Sequence, residues 1–128
     1  MRVAMALREG FHTVTPYLTT RDFNGLIEFT KRALGAVETY RVEMGPGRYH
    51  AEVRIGDSMI MIGGGSGATP MTAMLLLYVD DVDAVYKRAL EAGATSVQEP
   101  ADTPDGSRRG GVKDAFGNHW YFGSTEQR

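Results

Sequence analysis

His50 and Glu52 stand two residues apart in YHAEVRI, residues 49–55. On a strand, an imidazole and a carboxylate at that spacing project from one side, because strand side chains alternate. The pair suits three kinds of chemistry: half of a metal site, a general acid/base couple, or hydrogen bonding to a ligand. Arg54 falls on the same side, so His50-Glu52-Arg54 also reads as a solvated row with a local ion pair. A metal role needs a third ligand. His119 is the other obvious candidate; His12, near the start of the first strand, reads as an edge residue. A second set of residues offers different chemistry. Tyr17, Tyr78 and Tyr121 supply flat apolar faces with a hydroxyl at the tip. Met61 and Met74 supply adaptable, polarizable surface. Met and Tyr in strands also serve as core or dimer-contact residues. Arg108 lies in DTPDGSRRGG, where Asp105-Gly106 begins a mobile turn. It reads as a solvated loop charge or as a cation for an anionic or carbonyl group at a cleft mouth.

The elements that position these residues follow from pattern. Leu26, Ile27, Phe29, Ala33 and Leu34 repeat at helical spacing, with Asp22 as cap and Gly35 as stop. Val82, Val85, Tyr86, Ala89 and Leu90 repeat likewise, with Asp80 or Asp81 as cap and Gly93 as stop. Strands are expected at about 12–19, 37–44, 48–55 and 58–63, then at about 72–79, 94–98, 109–114 and 118–123. Ala115-Phe116-Gly117-Asn118 reads as a hairpin turn. The chain is thus β-α-β-β-β twice over, and KRAL followed by Gly-Ala occurs in both halves, at Lys31–Ala36 and Lys87–Ala94. The half-modules span about 12–63 and 72–124, joined by 64–71, which overlaps the Gly/Ser/Pro-rich stretch GGGSGATP at 63–70. About 60 residues is marginal for an independent core, so the halves are expected to form one domain over 1–128.

Composition narrows the function classes. The 128 residues are 42% hydrophobic and 23% charged, ordinary for a globular domain with its own core. A net charge of −2 and a pI near 5.9 give no electrostatic footprint for nucleic acid. With no cysteine, thiolate catalysis, disulfides and Cys-type zinc sites are excluded. No stretch approaches the roughly 18 apolar residues of a membrane span. The apolar run VAMAL near the N-terminus is shorter than a signal-peptide core. A cytoplasmic location is therefore the expectation, with no membrane partner.

PYLTTRD, LGAVETYR, HAEVRIGDSMIMI, LYVDDVDAVYKRALEAGA and G-x-R-x-G-x-V-x-D-x-F-G-N-x-W occur in that order. Together they resemble the glyoxalase/bleomycin-resistance/dioxygenase superfamily, the vicinal oxygen chelate proteins, and within it the PhnB-like branch. The likeness runs over about residues 12–124. It implies an α+β fold in which two βαβββ modules form an eight-stranded incomplete barrel around a cleft, with helices outside. It also implies a homodimer, often with cleft walls from both chains. The pattern's usual Pro after Asp114 is replaced by Ala115.

Metal-dependent members carry one His, Glu or Gln ligand on each of four cleft strands. The resemblance places Thr15, Met61, Met74 and Tyr121 at those positions, with Val14, Pro16 and Leu18 facing inward on the first strand. Thioethers and neutral hydroxyls are poor ligands for zinc, magnesium or iron(II). No metal and no cofactor is expected. The expected function is sequestration of an aromatic, antibiotic-like small molecule in a resistance role. Tyr17, His50, Glu52, Met61, Met74, Tyr78, Arg108, His119 and Tyr121 form the candidate ligand-binding set. Two alternatives stand. One is an enzyme, a lyase, isomerase or dioxygenase with an atypical metal set from His50, Glu52 and His119, or a metal-free reaction on the His50-Glu52 pair. The other is a dimerising structural module with an occluded cleft.

Overall fold

The computed structural model describes residues 8–124. The elements are β1 (Tyr17–Thr20), α1 (Phe23–Leu34), β2 (Val37–Gly45), β3 (Arg48–Ile55), β4 (Ser58–Gly64), β5 (Met74–Tyr78), α2 (Val82–Glu91), β6 (Thr95–Asp102), β7 (Arg108–Lys113) and β8 (His119–Ser124). They form two four-stranded sheets of matching plan, ordered β1-β4-β3-β2 and β5-β8-β7-β6. The β1/β4 and β5/β8 pairs are parallel and the others antiparallel. This is the α+β fold expected from the repeated β-α-β-β-β pattern. The incomplete barrel takes the form of two open sheets; no closed barrel forms.

The helix ends follow local chemistry. The Asp22 carboxylate accepts from the Gly25 N–H at 3.0 Å. A side chain at Gly25 would collide with that carboxylate, so the cap depends on the glycine. Gly35, at φ +68°, supplies the left-handed stop. Of the two aspartates before α2, Asp81 is the cap, accepting from the Ala84 N–H at 3.1 Å. Each helix buries one stripe: Leu26, Ile27, Phe29 and Ala33 on α1, and Val82, Val85 and Ala89 on α2.

One buried cluster runs through both half-modules, with Leu18, Ala51, Val53 and Ile62 from the first sheet and Val112, Trp120 and Phe122 from the second. Phe29 of α1 meets Trp120 of β8 at 6.3 Å between ring centres, tying the halves together. Fully burying a side chain of this size stabilises the fold by about 1.5–3 kcal/mol. Asp114 organises the β7–β8 turn. It accepts from the Phe116 and Asn118 N–H groups, the Asn118 amide and the Trp120 indole, at 2.8–3.0 Å. Its carboxylate is thereby satisfied although buried.

Three boundaries differ from expectation. β1 begins at Tyr17 rather than near 12. Pro16 has no N–H to continue the ladder, although its carbonyl still accepts from the Met61 N–H at 3.0 Å. Val14 is 84% exposed and does not face inward. β5 is shorter than 72–79, and Met71 instead pairs with Thr19 along β1. β6 is longer than 94–98 and carries irregularities between Ser96 and Gln98 and between Gln98 and Ala101.

Candidate functional site

Strand register assigns each residue to a face. In the first sheet Tyr17, Met61, Glu52 and Tyr40 lie in one cross-strand row, and Thr19, Gly63, His50 and Val42 in the next. The alternate residues Leu18, Ile62, Ala51 and Val53 are in the core, so these two rows face away from it. In the second sheet Leu75, Trp120 and Val112 form a core row. The rows Met74-His119-Lys113, Leu76-Tyr121-Gly111 and Tyr78-Gly123-Arg109 occupy the opposite face.

The first face carries a hydrogen-bonded chain. The Tyr17 hydroxyl lies 2.9 Å from His50 Nδ1. His50 Nε2 lies 3.2 Å from Glu52 Oε2. The same carboxylate oxygen accepts from the Arg8 guanidinium at 2.5 Å. An ionised carboxylate only accepts, so His50 carries a proton on Nε2, and in the neutral ring Nδ1 accepts from the Tyr17 hydroxyl. Glu52 is 1% exposed and Arg8 57%. The segment entering the domain lies against this face. Arg8 lies over the Phe11 and Tyr40 rings at 5.4 and 5.2 Å. A side chain at Gly10 would touch the Met59 thioether arm. Arg54 remains exposed, so the row is not a uniformly solvated face.

The second face is open, with its apolar side chains along β5. Met74 is 70% exposed and Tyr78 69%, with Leu76 also exposed between them. Tyr121 lies flat across Gly111, where a Cβ would stand 2.5 Å from the ring. His119 and Tyr121 are nearly parallel, 11° apart, with ring centres 6.4 Å apart. The free edge of β5 borders a groove of about 800 Å³ between the half-modules, lined by Ile55, Ile60, Leu75, Leu77 and Val85. Leu76 and Tyr78 are shared between that groove and the open face.

Eight of the nine candidate residues lie on these two faces: Tyr17, His50, Glu52 and Met61 on the first, and Met74, Tyr78, His119 and Tyr121 on the second. Arg108 lies on neither. It shares its strand side with the core residue Val112 and pairs with Asp83 at 2.7 Å and Asp102 at 2.9 Å. Arg108 hydrogen-bonds to Asp83 and holds that carboxyl below its ordinary value. Three site residues escaped the sequence reading: Arg8, Tyr40 and Arg109. Alternation from Val112 is a signal that places Arg109, not Arg108, on the open face; no local signal connects Arg8 to Glu52.

The resemblance implies metal ligands at four positions, and those positions are a test of fit. Thr15 precedes β1, and its hydroxyl donates to the His12 carbonyl. Met61 lies on one sheet, and Met74 and Tyr121 on the other. Two thioethers, a phenol and a hydroxyl do not make a site for a hard or borderline divalent ion. Among the described residues no group of three or more His, Asp or Glu could hold a metal.

Residues 10–122 match the family model of the Glyoxalase/Bleomycin resistance protein/Dioxygenase superfamily. The chain, with its paired modules, belongs to that superfamily, whose members include bleomycin resistance proteins, glyoxalases and dioxygenases. An uncharacterized protein of Mycobacterium bovis is 39% identical over 125 residues, covering 86% of this chain and 81% of its own. The crystal structure of TioX from Micromonospora sp. ML1 is similar, with a TM-score of 0.71 at 24% identity over 88% of this chain and 95% of that one. Glyoxalase I from Zea mays has a TM-score of 0.69 at 15% identity, over 89% of this chain and 44% of that one. At these identities the two structures speak for the fold alone. No helix of the described residues is long and apolar enough to cross a membrane.

Proposed function

We propose that the protein binds a planar aromatic small molecule without metal and without altering it, acting by sequestration in a resistance role. The donor chemistry of the open faces carries this reading. Side chains where relatives place metal ligands are thioethers and a phenol, beside further tyrosines. Such surfaces hold organic ligands by stacking and dispersion, each aromatic contact adding about 0.5–1.5 kcal/mol beyond area burial. The motif order supports placement in the PhnB-like branch.

The cleft is completed by a second copy of the chain. Each sheet buries one face in the core and leaves the other as a sheet wall with exposed Tyr or Met. Exposed aromatic and thioether side chains grouped on a sheet face mark a binding surface. Two such faces, one per half-module, suit a twofold dimer in which the first sheet of one protomer stands opposite the second sheet of its partner.

A second reading rests on the chain Tyr17–His50–Glu52. A phenol hydrogen-bonded to an imidazole that a buried carboxylate orients has the parts of a general acid/base relay. In that reading Tyr17 takes or returns a proton at the ligand.

Equilibrium dialysis against acridine, followed by mass spectrometry of the recovered compound, separates the readings. Saturable binding with acridine returned intact supports sequestration. Absence of any saturable binding of acridine and of related polycyclic compounds contradicts it. Chemical conversion of a bound compound, abolished by Tyr17→Phe, establishes the relay instead.

A further inference from the structure

Arg109 stands on the open face of the second sheet in the row Arg109-Gly123-Tyr78. Its side chain does not rise from the sheet but lies across the neighbouring strand. A Cβ at Gly123 would stand 3.0 Å from Arg109 Nε and 3.3 Å from its Cδ, with Leu76 Cδ1 at 3.6 Å. The glycine makes room for the arginine, as Gly111 does for Tyr121. In this resting pose Nε is buried and has no hydrogen-bond partner. Buried polar groups are normally satisfied, so the pose leaves a strong donor unmet.

The surroundings supply no remedy. Asp105 is close enough to interact electrostatically with Arg109, but no hydrogen bond joins the two; its Oδ1 takes the Thr103 and Ser107 groups instead. None of the register-paired positions on this face carries a carboxylate; Arg109 and Lys113 carry its formal charge. Arg108, by contrast, is matched by two aspartates. The guanidinium is thus a fork-shaped donor whose buried Nε has no acceptor, on a face it shares with Leu76, Tyr78 and Tyr121.

We infer that the ligand of this face is an aromatic acid, its ring system against Tyr78 and Tyr121 and its carboxylate held by Arg109. This rests on the aromatic-ligand reading above and specifies its chemistry. On binding, the guanidinium lifts from Gly123, and Nε and one Nη donate side by side to the two carboxylate oxygens. Lysine, a point charge, does not reproduce that geometry.

The test is calorimetric titration of the full chain with 2-naphthoate and with 2-naphthamide, which share a ring system and differ in charge. The expected result is a preference of about tenfold for the acid, since two hydrogen bonds to a charged group together outweigh neutral ones by about that factor. Arg109→Gln is expected to abolish the preference, and Arg109→Lys to keep part of it, with thermal unfolding and sedimentation matching the parent protein. Equal affinity for the two compounds overturns the inference while leaving the aromatic-ligand reading intact. So does an Arg109→Gln protein that keeps the preference, or one that dissociates into monomers, which would make Arg109 an intersubunit ion-pair partner. If neither compound binds, and acridine does not either, both readings fall together.

Discussion

Tyr17 of β1 reaches over Gly63 of β4 to hydrogen-bond His50 of β3 at 2.9 Å. The contact exists because position 63 has no side chain. A Cβ there would stand 3.0 Å from the tyrosine ring and 3.2 Å from its hydroxyl. Tyr17 is 50% exposed, so its ring has room to yield outward. Gly63→Ala is therefore expected to displace the ring and break the hydrogen bond while the protein stays folded. A crystal structure of the variant checks this; an unchanged Tyr17–His50 distance contradicts it.

Arg8 holds the buried carboxylate of Glu52 in place. Arg8→Ala leaves that charge without its cation and is expected to cost about 1–3 kcal/mol, the penalty of an uncompensated buried group. Glu52→Gln in the Arg8→Ala background should recover most of that loss. Urea unfolding of the four proteins of the cycle measures the coupling. Additive effects would mean that the two side chains do not depend on each other.

Arg108 and Arg109, adjacent in sequence, are expected to separate stability from binding. Arg108→Ala releases Asp83 of α2 and Asp102 of β6 and should lower stability only slightly, as solvent-screened pairs do. Its affinity for aromatic ligands should stay at the parent value. Arg109→Gln should do the reverse. Thermal unfolding and ligand titration on both variants provide the comparison.

Glu38 contributes to the acid limb of stability. Arg41 hydrogen-bonds its carboxylate at 2.6 Å, and Lys31 adds a second contact at 3.0 Å. Together they hold the carboxyl below its ordinary value near 4.5. A pKa lower in the folded than in the unfolded state gives stabilisation that is complete above about pH 4.5 and fades as pH falls through the depressed value. Glu38→Gln is expected to flatten the decline in stability between pH 5 and pH 3, read by chemical unfolding across that window. A decline as steep as the parent's would contradict the assignment.

How much of this was legible from residues alone depends on the range of each interaction. The helices were readable because their signals are local: Asp22 and Gly35 act within their own turns. The two four-stranded sheets followed from the doubled β-α-β-β-β plan. Arg109 was readable in principle, since Val112 is a core residue and strand alternation puts 109 opposite to it. With Arg108 read as a loop charge and the strand expected from 109, that alternation goes unused. The Tyr17–His50 contact depends on the non-consecutive order β1-β4-β3, which no local pattern displays. Glu52 was rightly placed beside His50, but its ion-pair partner is Arg8, 44 residues earlier. Nothing near either residue announces that meeting.

The central claim is that organic ligand binding on these faces needs no divalent cation. The most direct measurement is calorimetric titration of acridine into protein stripped with a chelator, repeated after dialysis against zinc, manganese or iron(II). The account predicts saturable binding of the same affinity and stoichiometry in every case. Binding that appears only once a cation is restored would contradict it.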